Sequence, residues 1–277
     1  MTGATDVLRP RAAAGLRVWT GGSGGPAVVL LHGLGGSAAN WVEVVPRLVP
    51  QRAVVAVDLP GHGSSPAPPP PAGIDRYADA VGAALDDLGV ASAHVAGHSF
   101  GGHVAARLAL RRPDLVGGLL LVCPSGISSR RRLARVVLGG TTRLRPTRAV
   151  RPLALRLAGR AWFRRALFTP WVAGNAEQLP ARAVRGLVWD ARRHADVRSP
   201  LRAMADDPRL WLGALRCPAL VLWGARDVQL PVEDAFEIAR RLRASLRVVA
   251  GCGHLVIVER PDVVVDALDA LARRTSA

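Results

Sequence analysis

The sequence predicts an α/β fold: a mostly parallel, open sheet with helices on both faces and one helical insertion. Short apolar runs flanked by glycine or proline, such as residues 27–31 and 219–223, alternate with segments of helical spacing. Between the two alternating parts lies a proline-punctuated, arginine-rich stretch without clear strands. One insertion between two parts of a single sheet explains this pattern better than two independent domains.

The strands are predicted from apolar runs of parallel-sheet length, and the helices from apolar positions that recur every three or four residues. The predicted strands are residues 16–20, 27–31, 52–57, 91–96, 116–123, 219–223 and 245–249. The predicted helices are residues 41–48, 77–88, 100–111, 232–242 and 262–272. We predict that residues 1–123 and 209–277 form the core and that residues 124–208 form a helical cap.

Composition narrows the class of protein. With 277 residues, 49% hydrophobic and 21% charged, the chain can bury a substantial core. It contains no uninterrupted apolar run of about 18 residues, so no transmembrane helix is predicted. The N-terminal residues lack the pattern of a secretory signal, and the three cysteines are scattered without metal-ligand spacing. These features predict a cytoplasmic protein with ordinary buried thiols and no bound metal.

The net charge of +16 is confined to one segment. All 37 basic residues are arginine, and residues 125–216 hold 20 of them against 5 acidic residues. The rest of the chain is nearly neutral, with 17 arginines against 16 acidic residues. Three interpretations stay open: solvated helix faces under a compositional bias, affinity for anionic lipid, or recognition of an anionic substrate group. Nucleic-acid binding is not predicted, because no recognised binding motif accompanies the charge.

A serine stands where a strand passes into a helix. In Gly97-His98-Ser99-Phe100-Gly101 the small glycines permit a tight turn that holds Ser99 in a strained backbone conformation. Such a turn presents the hydroxyl at the sheet edge and directs the N-terminus of the next helix toward it. Ser99 is therefore the predicted nucleophile.

An alcohol needs a base within hydrogen-bond reach to attack at neutral pH. His254, which follows the strand at 245–249 within Gly251-Cys252-Gly253-His254, is the predicted base. Asp227, just past the strand at 219–223, is the predicted acceptor that fixes the imidazole tautomer. The end of the earlier strand, at residues 121–124, offers no carboxylate in its place.

The developing oxyanion requires two donors. We predict the backbone N–H groups of Phe100, which follows the nucleophile, and of Leu34, in a loop that leaves another strand end.

The order of these segments resembles the α/β-hydrolase superfamily, in its serine esterase and lipase-like branch with a helical cap. The resemblance covers residues 16–272 and is carried by His32-Gly33, Asp58-Leu59-Pro60-Gly61-His62-Gly63, the Ser99 turn, Gly224-Ala225-Arg226-Asp227 and Gly253-His254. It implies a helical cap over the active site and a metal-free, cofactor-independent reaction through an acyl-enzyme. Serine at the nucleophile position argues against the dehalogenase and epoxide-hydrolase branches, which use aspartate. Gly35-Gly36 departs from the proline that carbon–carbon hydrolases usually carry there.

Other polar residues near these segments have structural interpretations. Asp58 is expected to anchor its loop to local backbone, and His32 to brace the oxyanion loop. His98 and His103 are expected to pack or cap, and Glu259 to pair with a nearby cation. The aromatic residues of the insertion are expected to form a small core, an apolar pocket above Ser99, or both: Trp162, Phe163, Phe168, Trp171, Trp189 and Trp211.

The function expected from the sequence is hydrolysis of a small-molecule carboxylic ester, apolar or lipid-derived, with peripheral contact of the basic cap with anionic lipid as a further hypothesis. A thioesterase, a lactonase, a carbon–carbon bond hydrolase or a cofactor-free haloperoxidase is an alternative on the same fold. A non-catalytic ligand-binding protein that retains the pocket is the alternative from another class. The sequence indicates no oligomeric state.

Overall fold

The computed structural model describes residues 7–70, 73–125, 151–169, 174–190, 198–206 and 214–275. Its strands form one sheet in the order β1-β2-β4-β3-β5-β6-β7-β8. The first two junctions, β1 with β2 and β2 with β4, are antiparallel, and the other junctions are parallel. The strands are β1 Arg9–Ala13, β2 Leu16–Gly21, β3 Ala27–Leu31, β4 Val54–Val57, β5 Ala93–His98, β6 Val116–Val122, β7 Ala219–Gly224 and β8 Ser245–Val249.

Helices cover both faces of this mostly parallel sheet. The α-helices are α1 Val45–Leu48, α2 Ile74–Asp87, α3 Phe100–Arg111, α4 Arg151–Leu157, α5 Ala161–Phe168, α6 Ala181–Asp190, α7 Arg198–Asp206, α8 Glu233–Leu242, α9 Val256–Glu259 and α10 Pro261–Thr275. Short 3₁₀ helices span Ala38–Trp41 and Ala176–Gln178. The inner strands are buried on both faces, as expected of a parallel sheet between helical layers.

The sheet topology gathers the predicted site at one edge. Neighbouring strands β3, β5, β6, β7 and β8 run parallel, so their carboxyl ends lie at the same edge of the sheet. Ser99 directly follows β5, Asp227 comes soon after β7, and His254 follows β8. The loop that contains Leu34 leaves the end of β3. The pairing of the strands therefore brings Ser99, Asp227 and His254, which are distant in sequence, to the same edge of the sheet.

Strands β2 to β8 match the sequence prediction to within a few residues, whereas the pattern gives no indication of β1. Four of the five residues of β1 are exposed, and its segment is polar and contains Pro10. Such a strand is held by its ladder to β2 and buries little apolar surface, so its sequence carries little periodic signal.

The described part of the arginine-rich insertion contains helices α4 to α7 and no strand. This agrees with the expected helical character, while the cap boundaries at 124–208 stay a prediction. Of the helices in the described ranges, none combines the length and the apolar character needed to span a bilayer.

Candidate active site

Ser99 lies at a turn with an unusual backbone conformation. Its φ of 52° and ψ of −117° are strained for a residue with a side chain, and it directly precedes α3. The flanking glycines are required by close approach. A Cβ on Gly97 would lie 2.3 Å from the carbonyl oxygen of Gly101, and one on Gly101 would lie 2.3 Å from that of Leu31. The turn therefore depends on the two glycines that the sequence motif supplies.

His254 and Asp227 form a buried, hydrogen-bonded pair. The Nδ1 atom of His254 lies 2.7 Å from Oδ2 of Asp227, and the two side chains are 4% and 0% exposed. The other carboxylate oxygen accepts hydrogen bonds from the backbone N–H groups of Gln229 and Leu230, at 2.8 and 2.9 Å. Because an ionised carboxylate only accepts, Nδ1 of His254 carries the proton.

The environment keeps the Asp227 carboxyl ionised. Burial acts to raise the pKa of Asp227, but the adjacent His254 and the N–H groups of Leu230 and Gln229 outweigh it and hold the pKa below its ordinary value. This carboxylate is therefore suited to orient an imidazole and to stabilise it when it becomes charged.

His98 joins the serine turn to the segment that holds His254. Its Nε2 atom lies 2.8 Å from the carbonyl oxygen of His254, and the two rings are 4.9 Å apart between centroids. A carbonyl accepts, so Nε2 of His98 is the donor. Burial, together with the nearby His254, lowers the pKa of His98 to about 3, so that this ring is neutral at physiological pH.

His32 holds the loop that contains Leu34. Its Nε2 accepts a hydrogen bond of 3.0 Å from the N–H of Leu59, so the proton is on Nδ1, which donates to the carbonyl of Gly33 at 2.8 Å. Burial lowers the pKa of His32 to about 4. This neutral imidazole fixes the peptide that precedes Leu34, in agreement with the bracing role expected from the sequence.

The same loop packs directly on the serine turn. A Cβ on Gly33 would lie 3.2 Å from Cβ of Ser99 and 3.0 Å from Nδ1 of His98. Phe100 begins α3, where the first N–H groups of a helix have no partner within that helix. The segments that carry the two predicted oxyanion donors therefore both lie next to Ser99.

Cys123 contacts the same carboxylate from the end of β6. It has a positive φ of 42°, and its sulfur, an Asp227 carboxylate oxygen and a His254 ring nitrogen lie within 4.8 Å of one another. Burial, followed by the charge of Asp227, raises the pKa of the Cys123 thiol well above its ordinary value. A thiol is a weak metal ligand while it keeps its proton, so this thiol is better suited to donate a hydrogen bond to Asp227.

Of the other polar residues considered in the sequence, Asp58 has the expected role and Glu259 binds backbone groups. Asp58 accepts hydrogen bonds from the backbone N–H groups of Ala38 and Ser64, at 2.8 and 2.9 Å, as expected. The expected pairing of Glu259 with a cation is not found among the described residues. Its carboxylate instead accepts from the backbone N–H groups of Gly253, Gly174 and Asn175.

The sequence does not indicate this role, because the partners of Glu259 are backbone groups and two of them belong to the insertion. The only signal was the position of Glu259, five residues after His254.

The described part of the insertion also contacts the core through a side-chain ion pair. The Arg182 guanidinium on α6 binds the buried Glu43 carboxylate with an Nε–Oε1 distance of 2.6 Å. Within the insertion, the Ser125 hydroxyl donates to the sulfur of Met204 on α7 at 3.1 Å. Of the aromatic residues in the insertion, Phe168 is buried, Phe163 is half-buried and Trp162 is 61% exposed. Trp171, Trp211 and the Trp189 side chain lie outside the described residues.

Comparison with known proteins identifies the family. A model of the alpha/beta hydrolase family matches residues 28–267. The chain is 33% identical over 213 residues to a pimeloyl-[acyl-carrier protein] methyl ester esterase of Chromobacterium violaceum, covering 75% of this chain and 78% of that protein. It is also 32% identical over 260 residues to the dihydrolipoyllysine-residue acetyltransferase component of an acetoin cleaving system of Pseudomonas putida, covering 92% of this chain but only 65% of that relative.

A solved structure supports the same assignment. The crystal structure of a membrane phospholipase A, described as a bacterial virulence factor, superimposes with a TM-score of 0.73 at 29% identity, covering 97% of this chain and 86% of that one. With a family match over most of its length and the matching sheet, the chain belongs to the alpha/beta hydrolase family.

Proposed function

We propose that this protein is a serine hydrolase that cleaves carboxylic esters through an acyl-enzyme, with Ser99 as nucleophile, His254 as base and Asp227 as the orienting acid. The observation that carries the proposal is the buried pair of His254 and Asp227, 2.7 Å apart, joined to the serine turn by the hydrogen bond from His98. Nδ1 of His254 is bound to Asp227, which leaves Nε2 for the Ser99 hydroxyl.

The proposed reaction begins when Nε2 of His254 takes the Ser99 proton as the hydroxyl oxygen attacks the ester carbonyl. The backbone N–H groups of Phe100 and Leu34 hold the negative oxygen of the tetrahedral intermediate. The imidazolium then protonates the leaving alcohol, and the acyl group stays on Ser99. Water, deprotonated by the same imidazole, releases the acid and restores the serine.

The substrate class is proposed from two kinds of support. One relative is named as a methyl ester esterase and one structural neighbour as a phospholipase A, and both of these names imply ester cleavage. The half-buried Phe163 and the buried Phe168 show that the insertion has an apolar interior. We therefore propose an apolar or lipid-derived acyl ester. The free cysteines Cys123, Cys217 and Cys252 support the predicted cytoplasmic, reducing location.

Replacement of the nucleophile tests the proposal. Ser99→Ala should abolish turnover of chromogenic esters and labelling by a fluorophosphonate, while circular dichroism and thermal unfolding stay close to those of the wild type. Ser92→Ala, an exposed serine that precedes β5, is the matched control and should keep both activities. Ester turnover by Ser99→Ala at the wild-type rate would exclude Ser99 as nucleophile.

A panel of esters of graded acyl length, thioesters, lactones and vinylogous diketones separates the esterase from the alternatives on this fold. The highest kcat/KM identifies the reaction. The absence of fluorophosphonate labelling in the wild type would favour the non-catalytic binding protein.

The proposed contact with anionic lipid rests on the exposed face of α5. Trp162 is 61% exposed, and the side chain of Arg165, three residues later on the same face, is 71% exposed. Interfacial helices combine arginine with exposed tryptophan in this way.

Vesicle co-sedimentation tests this contact. We expect binding to phosphatidylglycerol vesicles that weakens as salt rises, and little binding to phosphatidylcholine vesicles. Trp162→Ala should reduce it several-fold, whereas Phe236→Ala, an aromatic residue 59% exposed on α8 of the core, should not. Equal binding by the two variants would contradict a specific role of α5.

A further inference from the structure

The carboxylate of Glu259 binds two segments that meet next to His254: the backbone just before His254 and residues 174–175 of the insertion. It lies at the end of α9, and its Oε1 atom accepts a hydrogen bond of 3.0 Å from the N–H of Gly253, the residue before His254. Its Oε2 atom accepts bonds of 2.9 and 3.1 Å from the N–H groups of Gly174 and Asn175, which belong to the insertion. Both carboxylate oxygens of Glu259 thus accept hydrogen bonds, one from the segment before His254 and the other from the insertion. The contact between these two segments is here called the junction.

The segment Gly251-Cys252-Gly253-His254, here called the histidine loop, is fixed at successive residues. The carbonyl of Cys252 accepts a bond of 2.8 Å from the N–H of Arg226, and the carbonyl of His254 accepts one from His98. The N–H of Gly253, between these two carbonyls, is held by Glu259. The Cys252–Gly253 peptide is thus held at both ends, and loss of the Glu259 bond would leave it fixed only by the bond from Arg226, one residue before His254.

The insertion approaches the histidine loop so closely that no side chain fits between them. A Cβ on Gly174 would lie 2.3 Å from the carbonyl oxygen of Gly251 and 2.7 Å from the backbone nitrogen of Gly253. Gly174 packs against this loop, and Glu259 supplies acceptors to both backbones. The position of this insertion segment and that of the histidine loop are therefore coupled through the same contact.

Apolar packing does not fill this junction. A cavity of about 250 Å³ lies beside it, lined on the insertion side by Asn175, Gln178 and Leu179 and on the core side by Gly251, Cys252 and Glu259. Next to such a space, a backbone N–H that loses its acceptor gains no compensating packing. The hydrogen bonds of Glu259 are therefore the polar contacts that tie Gly253 to residues 174–175 beside this cavity.

We propose that Glu259 is a positioning residue that holds the histidine loop against residues 174–175, so that the seating of the insertion sets the orientation of His254 toward Asp227 and Ser99. This inference rests on the proposed function for its kinetic consequence, but not for its structural one. A displaced insertion segment would remove the two donors that fix Oε2 of Glu259, so that this carboxylate would hold Gly253 less firmly and the base would lose its alignment.

Glu259→Gln tests the role directly. A carboxamide has one acceptor oxygen, so it can satisfy either Gly253 or the Gly174-Asn175 pair, and its NH₂ group would face the other donors. We expect kcat per titrated active site to fall by about 10- to 100-fold with a smaller change in KM, because a base displaced by a fraction of an ångström loses its alignment. Glu259→Asp, which keeps two acceptor oxygens, should recover part of this loss. Asp262→Asn, an exposed carboxylate that pairs with Arg260, is the matched control and should retain the wild-type kcat.

Gly174→Ala tests the coupling from the side of the insertion. The added methyl group must push residues 174–175 away from the histidine loop, so we expect a fall in kcat of the same kind as for Glu259→Gln. Gly159→Ala, in the turn between α4 and α5 with no atom within 4 Å of the new Cβ, is the control and should behave as the wild type. A Gly174→Ala enzyme with wild-type kcat would overturn the coupling to the insertion.

A readout independent of turnover separates the two proposals. The proton shared between His254 Nδ1 and Asp227 should give a far-downfield ¹H NMR resonance that is absent in Asp227→Asn. We expect Glu259→Gln to shift or broaden this resonance and Asp262→Asn to leave it unchanged, whether or not an ester substrate is known. An unchanged resonance together with an unchanged kcat in Glu259→Gln would overturn the positioning role. A wild type that shows the resonance but no Ser99 labelling would refute only the proposed hydrolase activity.

Discussion

Two histidines near the site act as neutral supports because they are buried. His32 and His98 have pKa values of about 4 and about 3, lowered mainly by desolvation, and each donates one ring N–H to a backbone carbonyl of a functional loop. A lysine or arginine in these places would bring a charge into a dry interior, whereas a neutral imidazole supplies a donor without one. Three histidines in one site thus have separate tasks, of which only His254 faces a carboxylate.

Asp227→Asn should lower kcat by roughly 10⁴-fold without preventing folding. The N–H groups of Gln229 and Leu230 would hold the amide oxygen in place of Oδ1, which turns the NH₂ group toward His254. The imidazole would then carry its proton on Nε2 and could not accept that of Ser99. The measurement is kcat for the best ester, with Asp114→Asn, an exposed partner of Arg112, as control. A loss of less than tenfold would show that Asp227 does not orient the base.

At this scale the sequence could single out Ser99, Asp227 and His254 as candidates because each lies close behind a strand in a glycine-containing segment, and their catalytic roles stay a prediction. It could not predict Glu259 or Cys123. The carboxylate of Glu259 binds backbone N–H groups at residues 174–175. Because every residue except proline has such a group, the residue types there do not indicate the contact. The end of β6 carries Cys123 and no acidic residue. Only the proximity of the Cys123 sulfur to the Asp227 carboxylate reveals that this thiol can donate a hydrogen bond to it.

At the scale of elements, the inner strands can be predicted from their apolar composition. The outer strand β1 cannot, because most of its residues are exposed and its sequence has no apolar pattern. Strands β3 and β7 are short apolar runs and are recognised from sequence, whereas β1 is defined by its pairing with β2. The same reasoning covers the insertion. Its described helices could be expected from spacing, but which of them contacts the core could not, because this depends on single partners such as Arg182 and Glu43.

Arg182→Ala should lower the free energy of unfolding by about 1 to 3 kcal/mol, less than for a fully buried pair because Arg182 is about half-exposed. The loss arises because the Glu43 carboxylate, 4% exposed, is left without its cation. Adding Glu43→Gln to this variant should restore part of the stability, since a neutral amide is less costly to bury unpaired. Arg185→Ala, an exposed residue on the same helix, is the control for denaturant unfolding. Equal stability of the two arginine variants would show that the pair contributes nothing.

For the whole molecule, the buried histidines predict a loss of stability in mild acid. The folded pKa values of His32 and His98 lie below the unfolded value of about 6.5, so the unfolded chain binds protons that the folded chain does not. Their contribution is fully present above that pH and declines as the pH falls through the interval down to the folded values. The two together should lower the free energy of unfolding by about 2 kcal/mol between pH 6 and pH 5.

Urea unfolding at pH 7, 6 and 5 measures this decline. His98→Asn should reduce the slope of stability against pH by about half, whatever its effect at neutral pH. The depressed pKa of Asp227 adds a further loss only at lower pH, as its carboxylate takes up a proton. A free energy of unfolding that stays constant from pH 7 to pH 5 would contradict the buried, neutral state of the two rings.

The pairing of β6 with β7 has a consequence for how this chain can diverge. Leu119 to Val122 stand in register with Ala219 to Leu222, so the chain leaves the sheet at one strand and returns at its immediate neighbour. Everything between these anchor points can lengthen, shorten or be exchanged without altering the register of a single core strand, and longer connections cost little in closure entropy. A foreign insertion can therefore be grafted between these strands, provided that it keeps a segment that packs on the histidine loop and binds Glu259 as residues 174–175 do.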